Sequence, residues 1–529
     1  MSPHFSVLID IVFIKVLEVK YMYKEYITFF HFVNKYFKQI SNFIGLHNMA
    51  DIIKISQLLE SGVVATDDLL EVSINNQNGT YTSRKLQVST LLALVNSQLP
   101  TSGNFGMINI LDYVNNTDAT VDQTANVQAA FNAAAATGGQ VIIPSGTEIL
   151  CLSDVTLASH CDILGFSKLT ENAFDVTSLE SGLVFADGAS LVMELGSTIT
   201  AVRVRSQSVR EATDFTDPSS FFTGTGIKIN NTDVSIISCS VFGFTNGIIS
   251  TGPTGRTTIT DMKADNINSI NLDNSEDVSR LTNVQIWPFC GGAGSLAIRD
   301  GIGITLQNNG DWTHLTNCFT WGVTVGFKLN DVRSNVSFTA CGSDFPSFTE
   351  PSTGIDIEGD CGTVDIIGSR IELVETGIHL NYTPSVDNIG SVNIIGCTIS
   401  RFSQGILITQ GDAKIIGCTI IGERDGNENL NGLLEGVKII DTTAFVTVSE
   451  NLFENIVAVG SKAIEQDGVP TGSRTLDRNH LKNVTDSGDD NSDQESNMLT
   501  AIGVVKGTAT DPDVIALCQA FEDNYFKNT

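Results

Sequence analysis

The sequence predicts an all-β chain wound into a right-handed single-stranded parallel β-helix, and three observations carry that expectation. Between Gly354 and Gly422 one phrase is repeated three times, as GIDIEGDCGTVDIIGSRIELVET, GIHLNYTPSVDNIGSVNIIGCTISRFSQ and GILITQGDAKIIGCTIIG. Each copy opens on Gly-Ile-x-Ile/Leu, runs through alternating apolar residues to a small residue, and ends in a second short apolar run. Related openings recur at Gly226, Gly247, a degenerate Ser269-Ile270-Asn271-Leu272, Gly303, Gly326, Gly354, Gly377, Gly405 and Gly436. Their spacings, 21 to 34 residues, are too irregular for a leucine-rich repeat and hold no helix between strands. The composition fits buried, stacked strands: 17% of residues are charged, with 47 Gly and only 11 Pro. Roughly 14 coils, stacked about 4.8 Å apart, would make a rod of about 65 Å.

Residues 1–48 differ from the rest. They hold four of the eight Tyr, three of the seven His, five Lys and a single Gly. The apolar run from Phe5 to Val16 is broken by Asp10 and Lys15 and has no small-residue cleavage site. It is therefore a poor signal peptide and too short to span a bilayer, so no membrane insertion is expected. The expected natural start is Met49, with residues 1–48 an upstream extension; an amphipathic N-terminal arm is the alternative.

Residues 49–99 contain Ile55, Ser56 and Leu58, then Thr66, Asp67, Asp68, Leu69, Leu70 and Val72, then Arg84, Lys85, Val88, Leu91 and Leu92. This phrase resembles the N-terminal adaptor of phage tail fibres and tailspikes. The resemblance implies a virion anchor that meets the phage tail or baseplate, and a homotrimer. In physical terms the same residues describe a small helix-strand module.

A soft boundary at Pro100 to Gly106 leads into the rod, expected over 107–483. Val127, Ala130, Phe131, Ala134 and Ala135 share one helical face, and Gly138 can supply a left-handed C-terminal cap. A stack of parallel strands has an unpaired end that such a helix would cover. Asp112, Asp118, Asp122, Ala129, Ala130, Ala133, Ala134, Gly138, Gly139, Val141, Ile143, Pro144 and Gly146 together resemble the opening of pectate-lyase-type (pectin-lyase-like) β-helix proteins. The pattern fades near Asn479. Asp486 to Ser496 carries five carboxylates and no base, as a solvated linker would. Asp511-Pro512 then starts a helix whose Val514, Leu517, Cys518, Phe521 and Tyr525 share a face, so 484–529 reads as acidic linker and C-terminal cap.

The formal charge of -30 argues against nucleic acid, because phosphate neutralisation needs Lys and Arg. Cys239, Cys318, Cys397 and Cys418 occupy one position of the repeat, which predicts an interior ladder of small buried residues rather than disulfides or metal ligands. No CxxC or HExxH spacing occurs, so neither a metal nor another cofactor is expected.

In the family resembled, the outward residues of the first sheet and its flanking loops form the sugar-binding groove. Carried over, the Gly-Ile-x-Leu/Ile strand is that sheet, and alternation points x and the residue two later outward. This places Lys228 and Asn230, Thr305 and Leu306 with Gln307 beyond (two registers one residue apart are open here), Lys328 and Asn330, Asp356 and Glu358, His379 and Asn381, Leu407 and Thr409, and Lys438 and Ile440 in one column. Lys328, Asp356 and His379 would stack about 4.8 Å apart. Nearby loops add Asp344, Glu350 and Glu375.

Glycoside hydrolysis needs one protonated carboxyl group and one carboxylate. Crowded carboxylates repel and raise one pKa, so Asp356 with Glu358, or either with Glu350, is the expected catalytic pair, with His379 beside it. Lys328, Trp312 and Trp321 are the expected substrate contacts; Phe242 shares the outward position of Trp321, and exposed rings stack on sugar faces. The Glu423-Arg424-Asp425 loop is a further candidate.

The expected activity is that of a tailspike which binds and hydrolyses a bacterial surface polysaccharide, located in the virion. A non-catalytic receptor-binding or structural fibre is the alternative, since β-helices serve both roles. A polysaccharide lyase with Lys328 or His379 as base is the second alternative; the absence of paired Asp-Asp or Gly-His-Gly phrases blocks transfer of polygalacturonase residues. A cellular pectate-lyase-like enzyme is disfavoured by the adaptor phrase and the lack of an export signal.

Overall fold

The computed structural model describes the strands Leu69–Asn76 and Thr80–Gln87 and residues 107–167, 181–211, 218–290, 298–346, 351–384, 390–422, 433–457, 461–467 and 472–484. The chain divides into two compact units between Phe105 and Gly106. In the first, the two strands form an antiparallel hairpin from Leu69↔Gln87 to Asn76↔Thr80. Leu69, Leu70, Val72, Arg84 and Lys85 of the adaptor phrase lie on this hairpin, while Ile55 to Asp68 and Val88 to Leu92 are outside the described residues. So are the expected arm at 1–48 and the expected cap at 485–529.

The second unit is the predicted right-handed parallel β-helix. Among the described residues its 36 strands pair in parallel with strands of adjacent coils, and they fall into three columns. The first column runs from Val155–Leu157 through Val323–Asn330 and Thr353–Cys361 to Lys462–Gln466. The second runs from Met107–Asn109 to Arg474–Asp477, and the third from Asp118–Asp122 to His480–Val484. Strand alternation turns one residue set inward, and Ile227, Ile248, Ile304, Phe327, Ile355, Ile378 and Ile406 fill the core at 0–1% exposure. The β-branched excess of the sequence is thus the requirement of a long, dry, stacked interior. Among the described residues no helix is long and apolar enough to cross a membrane.

The repeated glycine has a steric cause. A Cβ on Gly354 would lie 2.6 Å from the carbonyl oxygen of Gly377 in the next coil, and one on Gly326 would lie 2.6 Å from that of Gly354. Each glycine lets the following coil approach. Gly354→Ala is therefore expected to destabilise the rod by about 1–3 kcal/mol through overpacking, read as a lower thermal midpoint; an unchanged midpoint would remove the steric explanation.

The helix Thr124–Ala135 closes the N-terminal end. Val127, Ala130, Phe131 and Ala134 of the predicted face are fully buried, and Ala135 packs against the same core. Gln128 adds what apolar patterning does not reveal. Its side-chain amide accepts from the Thr156 N–H at 2.8 Å and donates to the Thr156 carbonyl at 3.1 Å, giving the edge strand the partners a further coil would have supplied. Gly138, at φ 60°, ends the helix, and the Gly139 N–H bonds to the Ala134 carbonyl at 2.9 Å.

Between the second and third columns the chain turns on two residues. The first takes a left-handed conformation in each coil, from Ala201 through Asn317 (φ 52°) and Gly417 (φ 65°) to Arg478. The second points inward, and here the predicted thiol ladder lies. Cys239, Cys318, Cys397 and Cys418 are buried and unpaired, with Cys341 as a further member. The thiols donate to carbonyls of the preceding coil: Cys318 to Leu281 at 3.5 Å, Cys397 to Ile366 at 3.3 Å and Cys418 to Ile394 at 3.4 Å. Asn451 and Asn479 continue the ladder with the same bond to Ile415 and Val448, each at 3.0 Å. At their corners these residues satisfy a buried carbonyl of the preceding coil.

Candidate functional site

The predicted first-column ladder forms in register. Thr305, Lys328, Asp356, His379 and Leu407 are Cα partners in successive coils, which makes Thr305 and Gln307 the outward pair of their coil and turns Leu306 into the core, not outward as expected. The Lys328 ammonium lies 3.3 Å from Asp356 Oδ2 and 2.7 Å from Glu358 Oε2. On the other side, His379 Nδ1 lies 2.9 Å from Asp356 Oδ1, and its Nε2 lies 3.0 Å from Thr409 Oγ1. Asp356 is only 7% exposed.

The electrostatics differ from the expectation of mutually repelling carboxylates. Burial pushes the Asp356 pKa up, but the His379 hydrogen bond and the Lys328 charge outweigh it and hold the carboxyl below its ordinary value. Burial also opposes the Lys328 ammonium, yet Glu358 and Asp356 hold its pKa above the usual lysine value. Asp356 is thus an ionised, clamped group and not the proton donor that a hydrolase needs. Ligand atoms of Asp356, Glu358 and His379 lie within 4.8 Å of one another, a spacing that could hold a metal ion. The Lys328 ammonium already supplies the cation between the two carboxylates.

Other predicted residues fall elsewhere. Trp312 is 51% exposed in the turn before the second column, its ring edge-on to His314 at 6.3 Å. It does not join Trp321. Glu375 is exposed, its backbone N–H bonding to Ser352 Oγ. Glu350 and the Glu423-Arg424-Asp425 loop lie outside the described residues.

The third column carries the arrangement that the first lacks. Its outward residues Trp287, Trp321, Asp344 and Glu372 occupy one position in four consecutive coils. The two indoles stack with centroids 4.5 Å apart and planes 17° apart, with Phe319 also 6.1 Å from Trp287. Trp287 is 37% exposed. Asp344, expected in a loop, lies on the strand Gly342–Asp344. Its Oδ1 is shielded from solvent without a hydrogen-bond partner among the described residues. Burial, aided by the neighbouring Glu372 charge and opposed by a bond from the Phe345 N–H and by Arg370 and Arg401, raises its pKa to about 6. Glu372 faces two guanidinium groups, Arg370 Nη2 at 2.6 Å and Arg401 Nη1 at 3.9 Å. A carboxyl group whose pKa is raised by burial, beside a second carboxyl group on an aromatic shelf, matches acid and base roles in glycoside cleavage.

Repeat spacing does not single out Trp287 or Glu372, although Trp287 carries a signal in the sequence. Asn283-Val284-Gln285-Ile286-Trp287 matches Asn317-Cys318-Phe319-Thr320-Trp321 position for position around the left-handed turn.

Further toward the N-terminus the same ladder is covered. Phe242 has the outward position expected of it, but it is fully buried among Val209, Phe222 and Phe289, so it offers no ring to a sugar. Asp265, the next residue of the ladder, binds Arg299 through both oxygens at 2.8 and 3.0 Å and accepts from the Cys290 N–H at 2.6 Å. The Arg299 guanidinium lies 5.0 Å from the centre of the Phe222 ring. The open part of the ladder therefore begins at Trp287.

No family model and no curated protein matches the chain. Several solved structures are similar to the chain over most of its length. The A-module of the Azotobacter vinelandii mannuronan C-5 epimerase AlgE6 has a TM-score of 0.42 at 13% identity, covering 72% of this chain and 95% of that one. The Dettilon tailspike protein has a TM-score of 0.40 at 15% identity, covering 71% and 69%. A tailspike of E. coli bacteriophage HK620, in complex with a pentasaccharide, has a TM-score of 0.42 at 11% identity, covering 79% and 75%. At these values the likeness is one of overall shape, and no residue role passes from those proteins to this chain.

Proposed function

We propose that this chain is a tailspike-like protein that binds a bacterial surface polysaccharide along the third column of its β-helix and hydrolyses it, with Asp344 as acid and Glu372 as nucleophile or base. One observation carries the reading: two stacked indoles continue directly into two carboxyl groups along a single outward ladder. Over four coils that ladder is about 14 Å long, room for several sugar units lying along the rod. Aromatic faces suit sugar rings, and the carboxyl pair suits a glycosidic bond. On this reading residues 49–99 attach the protein to the phage tail, 107–483 form the rod, 484–529 cap it, and three copies assemble in the virion.

Purified protein incubated with capsule or O-antigen from its host separates the alternatives. New reducing ends mean hydrolysis, and unsaturated uronates mean a lyase. Binding without either product means a non-catalytic fibre. Trp287→Ala and Trp321→Ala are each expected to weaken glycan binding tenfold or more, about 1.4 kcal/mol; unchanged binding in both would remove the third column as the site.

A further inference from the structure

The first-column ladder is more than a set of charge pairs, because its hydrogen bonds have a direction. Asp356 is ionised and can only accept, so the His379 Nδ1 facing it at 2.9 Å carries the proton. In the tautomer with its proton on Nδ1, Nε2 is the acceptor and the Thr409 hydroxyl, 3.0 Å away, is the donor. The result is a hydroxyl, a base and an orienting carboxylate in one line, the geometry that activates an oxygen nucleophile.

The backbone contributes to this line. Leu380 pairs with Ile408 but Asn381 pairs with Gln410, so Thr409 is the extra residue of a β-bulge. Bulges re-aim side chains, and here the hydroxyl meets the imidazole of the preceding coil. Lys328, 3.3 Å from the second Asp356 oxygen, fixes the carboxylate from the far side. Thr409 and His379 are both half-buried and so within reach of a ligand on the outer face.

We propose that Thr409, His379 and Asp356 form an acyl-transfer site that removes ester-linked acyl groups from carbohydrate. Thr409 Oγ1 attacks the ester carbonyl carbon as its proton passes to His379 Nε2. The bond from the carbonyl carbon to the sugar oxygen breaks, and His379 returns the proton to that oxygen. The acyl group is then on Thr409. Water, deprotonated by the same nitrogen, attacks the acyl-threonine, and the carboxylic acid leaves with Thr409 restored. Thr409 and His379 are catalytic, whereas Asp356 and Lys328 position the imidazole. Carbohydrate as the ester's carrier rests on the polysaccharide reading above; the relay itself does not.

The full-length protein is incubated with p-nitrophenyl acetate and, separately, with O-acetylated host polysaccharide, and acetate release is followed. Release from both is expected, with an acetyl adduct on the peptide carrying Thr409. Thr409→Ala should abolish adduct and release with an unchanged thermal midpoint, Thr409→Ser should retain them, and His379→Asn should lower release about 100-fold or more. No release from the wild-type protein, or release that persists in Thr409→Ala, overturns the proposal. Release from p-nitrophenyl acetate alone keeps the relay and removes carbohydrate as its substrate. Reducing-end formation in Thr409→Ala reports independently on the third-column site.

Discussion

Asp344→Asn is expected to lower polysaccharide hydrolysis by about 100- to 10,000-fold, the usual contribution of a positioned general acid. The amide keeps the shape of the side chain but cannot give a proton to the leaving oxygen. Glycan binding should stay near the wild-type level, because the indoles of Trp287 and Trp321 are untouched. The pH profile provides a second reading. With its pKa raised to about 6 by burial, Asp344 is largely protonated below that value. Activity should therefore fall about tenfold per pH unit above it, and Asp344→Asn should lose this limb. Stability follows the same group. Between its ordinary value of 3.8 and about 6 the folded chain keeps a proton that the unfolded chain has released, so stability falls as pH rises through that window. Initial-rate kinetics against pH, with thermal melts over the same range, check both. The carboxyl groups stand on Cα partners of adjacent coils, about 4.8 Å apart along the rod. NMR of the first-formed product would show whether configuration is retained or inverted.

Asp265→Ala is expected to cost about 3–5 kcal/mol, the penalty for stranding one member of a buried ion pair. Arg299 and Asp265 are each 1% exposed, and the guanidinium would be left against Phe222 without its carboxylate. The pair also holds the Cys290 N–H, three residues after Trp287. Coils of a solenoid contact mainly their neighbours, so the damage should be local. Hydrogen exchange should quicken around 258–290 and leave the coils beyond Thr353 unchanged. An Asp265→Leu, Arg299→Met double variant should recover most of the loss, since apolar replacement of a buried pair is often neutral or favourable. Equal destabilisation of the single and double variants would show that the charge pair is not the cause.

The fold was legible because a β-helix repeats its constraints. Glycine recurs where coils touch most closely, β-branched residues recur where the core is dry, and Cys or Asn recurs at the corner that must satisfy a buried carbonyl. Alternation then placed Lys328, Asp356 and His379 in one stack to within a residue. Their protonation was not legible. An ammonium lying between Asp356 and Glu358 turns expected repulsion into neutralisation, and no spacing rule reports which way a lysine side chain lies. The third column was partly hidden for a different reason. Asp344 sits next to a long coil-to-coil connection and reads as loop, and Glu372 lies in a strand that turns a corner without punctuation, Arg370–Pro384. Phe242 shows the converse, since its position was read correctly while the insertion that covers it came from residues far away in sequence.

The two-residue turn between the second and third columns never changes length from Ala201 to Arg478. From Ala201 onward one edge of the rod is therefore a fixed ruler, and there the variation in coil length is confined to the other two edges. The third-column ladder lies between the ruler and one variable edge, so a connection there can lengthen, shorten or be exchanged without shifting the indoles against the carboxyl groups. Such a scaffold would let the choice of glycan diversify while the spacing of its chemistry stays constant.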